Sequence, residues 1–291
     1  MIKDFEYLAP QTVDEALTLL SKYKEESKVI AGGQSLLILM RQGLVAPKYL
    51  IDIKGISSLD YIHFDTKEGL NIGALTSHWT IETSQAICNG FGVLAEMEKR
   101  IASVQTRSWG TIGGNLCHSD PAGDPAPVLI ALNGQLTVSS LRGNRTVEFE
   151  DFSTDYFETV LESDEILTEI HVPNPQPYTG TAYTKFTKRV GDTAIVGSAV
   201  SITLGSKNGT CKDSRIVLGA VAPVPMRAKE AESVLEGKEL TDKLLEEAAQ
   251  VASEEAKPVS DIHASEEYRR ELVKVLVKQV AKEALEKAKK G

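Results

Sequence analysis

Ala31-Gly32-Gly33-Gln34-Ser35-Leu36 and Thr111-Ile112-Gly113-Gly114-Asn115 stand about eighty residues apart, and the second runs on through Ser119-Asp120-Pro121 to Asp124. Adjacent glycines let backbone approach a ligand with no Cβ in the way and tolerate positive φ, so successive N–H groups can converge on an anion such as a pyrophosphate. The plainer reading is a pair of tight turns between strand and helix, since glycine pairs are ordinary loop punctuation. The surrounding chemistry favours a ligand. Gln34, Ser35, Thr111 and Asn115 are short amides and hydroxyls suited to phosphate and ring heteroatoms, and an apolar run leads into the first pair. Two such loops suit one dinucleotide held between them. Neither reads G-x-G-x-x-G, and no G-x-x-x-x-G-K-[ST] occurs, so Rossmann and P-loop mechanics are not indicated.

Outward from the first pair, Thr12-Val13-Asp14-Glu15 is a capping-box signature, with Val13, Ala16, Leu17, Leu20 and Tyr23 on one helical face behind it. Lys28 to Ala31 reads as a buried strand, Leu36 to Arg41 as a short helix stopped by Gly43 and Pro47, and Tyr49 to Ile53 as the next strand. This is a small α/β unit, residues 1–57, whose loop is a natural ligand mouth. Around the second pair, Leu70 to Ala74 reads as a strand and Trp79 to Ala86 and Val93 to Ile101 as helices. Pro121, Pro125 and Pro127 are expected to break regular structure before Val128 to Leu132. Sheet follows in Leu136-Thr137-Val138, Thr146 to Phe149 and Ile166 to Val172, closing a second unit over 58–177.

Pro173, Pro175 and Pro177 mark the best linker, because proline stiffens a connection and denies it ladder hydrogen bonds. Beyond it, residues 178–291 read as a terminal α+β domain. Three antiparallel strands are expected at Thr181 to Thr187, Ala194 to Leu204 and Ile216 to Val221, with a turn at Lys207-Asn208-Gly209. Helices are expected at Arg227 to Leu235, Leu240 to Ala256 and Tyr268 to Lys289.

Composition narrows the function. The 291 residues suffice for two or three units with a large core. With 32 Lys and Arg against 41 Asp and Glu, the formal charge of −9 argues against nucleic acid or an anionic membrane as partner. The cysteines Cys88, Cys117 and Cys211 are too scattered for a disulfide framework or an iron–sulfur or zinc site, and fit a reducing compartment. No apolar run reaches the length of a membrane span and no leader is evident, so the expectation is a cytoplasmic protein. Cys117 reads as a packing residue rather than a reactive thiol. No pair among His63, His78, His118, His171 and His263 has metal-ligand spacing.

Taken together, these elements identify a family resemblance. The chain resembles, over essentially its whole length, the FAD-binding medium subunit of molybdenum hydroxylases of the carbon monoxide dehydrogenase and xanthine dehydrogenase type. That flavin fold (PCMH/VAO-type) is shared with p-cresol methylhydroxylase and vanillyl-alcohol oxidase. The carriers are the two glycine segments, Ile101-Ala102-Ser103-Val104-Gln105-Thr106-Arg107 ahead of the second, Asp120-Pro121 with Asp124, Asp164-Glu165-Ile166-Leu167, and Lys185 in Tyr183-Thr184-Lys185-Phe186. The resemblance implies an α+β chain with a two-subdomain FAD-binding part and a C-terminal domain. It assigns FAD contacts to Ala31, Gly32, Gly33, Gln34, Ser35, Leu36, Thr111, Gly113, Gly114 and Asn115, and to Ile101, Asp124, Leu167 and Lys185. Asp124 also reads as a helix N-cap before Pro125, Leu167 as a strand core residue, and Lys185 as an edge-strand surface lysine. As a flavin ligand, Lys185 would stabilise the anionic reduced ring.

The resemblance further implies a small iron–sulfur subunit and a large molybdopterin subunit as partners, with electrons leaving this FAD for NAD, a quinone or another acceptor. The other readings are a standalone FAD-dependent oxidase or reductase of the same fold, an FAD-binding assembly protein with no turnover of its own, and a non-flavin α/β module using the glycine loops for another phosphate ligand. One departure stands out: where many relatives carry an aromatic after Arg189-Val190-Gly191-Asp192, this chain has Thr193, which implies a more open flavin face. The closing segment Asp261 to Arg270 also resembles these subunits and reads as structural, with His263 at a helix start.

Overall fold

Thr12 starts the first helix as the sequence indicates: its Oγ1 accepts the Glu15 N–H at 3.2 Å, while the Glu15 carboxylate accepts the Gln11 N–H at 2.7 Å. The computed structural model describes residues 2–290. Its first unit runs β1 (Glu6–Leu8), α1 (Val13–Tyr23), β2 (Ser27–Ile30), α2 (Leu36–Gln42) and β3 (Tyr49–Asp52), the strands forming a parallel sheet in the order β1-β3-β2. Ala16, Leu17 and Leu20 of α1 are buried with Ile51, Ile53 and Ile56. That apolar seam fixes the helix across the sheet and leaves the carboxyl ends of β2 and β3 open on one edge.

The second unit comprises β4 (Ile62–Asp65), β5 (Gly69–Gly73), α3 (His78–Thr83), α4 (Gln85–Gly90), α5 (Gly92–Glu98), α6 (Val104–Trp109), α7 (Ile112–His118) and α8 (Pro125–Ala131). It continues with β6 (Gln135–Ser140), β7 (Gly143–Glu148), β8 (Ser153–Asp155), β9 (Glu158–Thr159) and β10 (Ile166–Val172). Five of these strands make an antiparallel sheet, β4-β5-β10-β6-β7, and β8 and β9 form a separate hairpin.

Two expectations are corrected here. The single helix expected from Trp79 to Ala86 is two, α3 and α4, divided at Ser84. Pro121 lies in a turn as expected, but Pro125 and Pro127, expected to break structure, instead fall in the first turn of a helix. Pro125 is the first residue of α8, where its missing N–H has no intrahelical partner to lose and its fixed φ suits the first turn.

The last unit runs β11 (Thr179–Phe186), β12 (Val196–Leu204), β13 (Cys211–Gly219), β14 (Met226–Arg227), α9 (Lys229–Leu235), α10 (Asp242–Glu255) and α11 (Glu266–Lys290). Its antiparallel sheet has four strands, not the expected three. Arg227 pairs with Val217 in β14 rather than opening the helix, because its guanidinium is held by Glu232 and Glu150. All nine residues of β12 are buried, as befits a strand covered on both faces. Below it α11 lies so close to β11 that a Cβ on Gly180 would stand 2.1 Å from the Ala284 carbonyl oxygen. Tyr183, Ala199 and Val217 of this sheet belong to the same apolar cluster as β5, β6, β10 and α8. No helix among the described residues is long and apolar enough to cross a membrane.

Candidate functional site

The first glycine segment leaves β2 at the open edge of the parallel sheet. Gly33 has φ +70°, a conformation costly for any residue with a Cβ, and a Cβ on Gly32 would stand 2.3 Å from the Trp109 carbonyl oxygen. Among the described residues, the backbone N–H groups of Gly32, Gly33, Gln34, Ser35 and Leu36 donate to no protein acceptor. Five successive free donors at a turn form an anion-binding concavity. Gln34 folds its amide over the turn, Nε2 donating to the Gly32 carbonyl at 3.0 Å.

The second segment differs from its expectation. It is not a loop but the N-terminus of α7, capped by Thr111, whose Oγ1 accepts the Gly114 N–H at 3.1 Å. The Ile112 and Gly113 N–H groups donate to Thr76 and Ala74 carbonyls at 3.0 and 2.9 Å. A Cβ on Gly113 would lie 2.6 Å from the Ala74 carbonyl oxygen, so glycine here serves close packing of α7 on the end of β5. Gly114 is exposed, and a Cβ there would meet Ala31 at 3.8 Å. Asn115 is half-buried and faces Gly123, its side chain bonded to no described residue. Ala31 to Leu36 and Thr111 to Asn115 are therefore brought together, joined through Trp109-Gly110.

Past α7 the chain turns at Asp120, whose Oδ1 accepts the Ala122 N–H at 2.9 Å, and delivers Asp124 to the head of α8. Asp124 occupies the N-cap position but makes no capping bond with its side chain. Its carboxylate accepts instead from the Tyr183 hydroxyl at 2.5 Å and the Lys185 Nζ at 2.6 Å, all three side chains buried. Burial pushes the Asp124 carboxyl above its ordinary range, while Lys185 and Tyr183 pull it down. The same burial, with Asp124 beside it, lifts the Tyr183 phenol well above 10, so it stays a donor. Lys185 also donates to the Asp192 carbonyl at 3.0 Å. It is no surface lysine: its side chain is 5% exposed.

Between Asp120-Pro121-Ala122 and Asp192-Thr193-Ala194-Ile195 lies a cleft of about 580 Å³, with Thr193 exposed on its wall. Its floor is tied by the Ala220 N–H donating to the Pro121 carbonyl at 2.8 Å, and by Arg269, which donates to the Ile195 and Ala220 carbonyls. Arg269 also pairs with Asp261 at 2.7 Å. His263 lies in the turn before α11 rather than at the helix start, its N–H donating to Asp261 Oδ1 at 2.8 Å. Ile101 and Leu167 do not line the cleft. Ile101 is buried beside Ala102, its carbonyl accepting from Arg107 at 2.8 Å, and Leu167 is buried in β10 opposite Val138.

Two features went unread in the sequence. Tyr183 could have been found: residues two apart on a strand share a face, so Tyr183 and Lys185 reach the same carboxylate. The other is a pair twenty residues apart, His78 Nδ1 and Glu98 Oε2 at 2.7 Å, both side chains buried, with Glu98 Oε1 left without a partner. Burial drives the Glu98 carboxyl upward against the pull of His78. The His78 N–H donates to the Gly110 carbonyl at 3.1 Å, and a Cβ on Gly110 would meet the imidazole at 3.1 Å. The pair thus seats the junction of the two glycine segments.

A nest of free N–H groups at a parallel-sheet edge, leading to a cleft against a second sheet, defines a dinucleotide-binding α+β protein. Residues 3–175 match the family described as the FAD binding domain in molybdopterin dehydrogenase, and residues 181–284 match the CO dehydrogenase flavoprotein C-terminal domain. The chain belongs to the family of FAD-binding medium subunits of molybdenum hydroxylases, and so is an oxidoreductase component. It is 36% identical to the nicotine 6-hydroxylase medium subunit of Paenarthrobacter nicotinovorans over 96% of each chain. To the carbon monoxide dehydrogenase medium chain of Hydrogenophaga pseudoflava it is 35% identical, over 94% of this chain and 95% of the relative. Among solved structures, carbon monoxide dehydrogenase from Hydrogenophaga pseudoflava superposes with TM-score 0.95 at 34% identity over 99% of both chains. Quinoline 2-oxidoreductase from Pseudomonas putida 86 superposes with TM-score 0.93 at 30% identity over 99% of both.

Proposed function

We propose that the FAD pyrophosphate rests on the N–H groups of Gly32, Gly33, Gln34, Ser35 and Leu36, with Ala31 and Gly114 giving it room, Gly113 seating α7 beside it, and Thr111 and Asn115 offering polar side chains. The observation that carries this is the run of five free donors. An unpaired N–H is costly unless water or a ligand meets it, and five in one concavity suit a doubly charged anion. The ring belongs in the cleft between Asp120–Ala122 and Asp192–Ile195, with Thr193 leaving that wall open. When bound, the flavin supplies a carrier that exchanges electrons singly or in pairs.

The chain's own residues hold and orient it. Asp124 and Lys185 neutralise each other, so the pair adds little net charge to the cleft, and Lys185 acts by fixing the Asp192 carbonyl and with it the turn bearing Thr193. Ile101 supports the site from beneath, through its carbonyl bond to Arg107, and Leu167 through the β10 core. We place the unit boundaries at 57/58 and 177/178, a division supported by the separate three-, five- and four-stranded sheets.

In this reading the chain receives electrons from the iron–sulfur clusters of a small subunit, beside a large molybdopterin subunit, and passes them to NAD, a quinone or another acceptor in the cytoplasm. The test is the visible spectrum of the purified chain before and after FAD is added, followed by metal analysis of its native complex. Bound flavin with molybdenum and iron in the complex is the expected result. Bound flavin with neither metal overturns the electron-transfer role in favour of a standalone flavoenzyme, and no flavin under any condition overturns the site.

A further inference from the structure

Trp109 is the last residue of α6 and is 59% exposed, unusual for the largest apolar side chain beside a binding nest. Its carbonyl lies directly against Gly32, so its backbone forms one wall of the free-donor concavity. Across its ring stands Lys54, with Nζ 3.8 Å from the ring centroid. Lys54 follows β3, whose end is bonded to the end of β2 by the Ile53 N–H donating to the Ile30 carbonyl at 3.0 Å. Both residues therefore sit outside the carboxyl ends of a parallel sheet, where α/β units place their ligands. The cleft that suits the flavin ring adjoins Asp120 and Asp192, whereas the Trp109 backbone flanks the nest at Gly32 and its indole stands against Lys54. A dinucleotide pinned at its pyrophosphate has two arms, and the second arm carries adenine.

We propose that Trp109, braced by Lys54, is the stacking platform for the adenine end of the bound dinucleotide. This rests on the FAD site proposed above. The ammonium covers one face of the indole, and the exposure leaves the other face for the base, whose π surface stacks on an aromatic regardless of hydrogen-bonding pattern. Burial lowers the Lys54 ammonium's pKa, and the nearby Asp52 and Asp60 carboxylates counter this only in part.

The test compares FAD with FMN, which lacks the adenylate, on the deflavinated full-length chain, with binding followed by flavin fluorescence. Trp109→Ala is expected to weaken FAD about tenfold or more while leaving FMN within about twofold, and Trp109→Phe to retain most of the FAD affinity. Because the side chain is exposed, both variants should fold, and an unchanged melting temperature checks this. Equal losses for FAD and FMN would overturn the proposal, since the indole would then act only by shaping the nest. Unchanged affinity for both would overturn it as well. If instead Trp109→Ala spares both flavins and weakens NAD binding, the platform serves the acceptor's adenine and the assignment to FAD fails. Should neither flavin bind the unaltered chain, it is the flavin site itself that is wrong, an outcome separable from all the others.

Discussion

The two glycine pairs look alike in sequence and do opposite work. Around Gly32-Gly33 the backbone donors are free, and the glycines keep them so by positive φ and by nearness to Trp109. Around Gly113-Gly114 the donors are already taken by Thr76, Ala74 and the Thr111 cap, and the missing Cβ lets α7 lie against β5. One pair leaves its donors open, as the proposed site requires; the other offers proximity to the fold. Replacing either should cost stability, and replacing the first should cost ligand binding as well.

The largest effects are expected at the glycines, beginning with Gly113→Ala. A methyl 2.6 Å from a backbone oxygen cannot be relieved by a side-chain rotation, so urea denaturation should show a loss of about 3 kcal/mol, with FAD binding falling as a result. At Gly32→Ala the methyl would stand 2.3 Å from the Trp109 carbonyl oxygen, again backbone, so a stability loss of about 3 kcal/mol is expected there too. What sets it apart is binding: in the protein that remains folded, the FAD dissociation constant should rise about a hundredfold, or roughly 2.7 kcal/mol, beyond any change seen for folded Gly113→Ala. If folded Gly32→Ala binds FAD as well as folded Gly113→Ala does, the comparison is wrong. Thr111→Val removes the α7 cap and is expected to cost about 1 kcal/mol in the same denaturation assay.

The subtlest test addresses the seat under the junction. Burial raises the folded-state pKa of Glu98 above its ordinary 4.5, so its contribution to stability is present below that value and is withdrawn as pH rises through the raised one. The groups facing it are His78, Asp124 and Glu82. Glu98→Gln keeps an acceptor for His78 but cannot titrate, so its stability above pH 4.5 should fall less steeply with pH than that of the unaltered chain. Parallel slopes would remove the pair from the account.

Much of this was legible because it is local. A strand, a glycine pair and a helix follow one another from Ser27 to Gln42, and each is encoded by its own residues. The start of α7 was not, because two glycines early in a helix oppose intrinsic propensity, and only the contact with Ala74, far back in the chain, decides the matter. Pro125 misled for a related reason: proline interrupts a helix but also begins one. The strands β1, β8, β9 and β14, of two or three residues, have no periodicity to read and exist through their partners. Of the proposed cofactor positions, the two glycine segments lie against each other and Asp124 pairs with Lys185. Leu167 is a core residue whose sequence surroundings look no different from those of a ligand.

Asp124 comes from the head of α8 and its ammonium and phenol from β11, on either side of the proline-rich linker. Each half, made alone, would carry a buried charge with its counter-charge missing, and the apolar cluster containing Tyr183, Ala199 and Val217 would be cut open. The two family domains are thus not interchangeable modules on a string. They can be inherited, swapped or engineered only as a matched set, because the chemistry that completes one is encoded in the other.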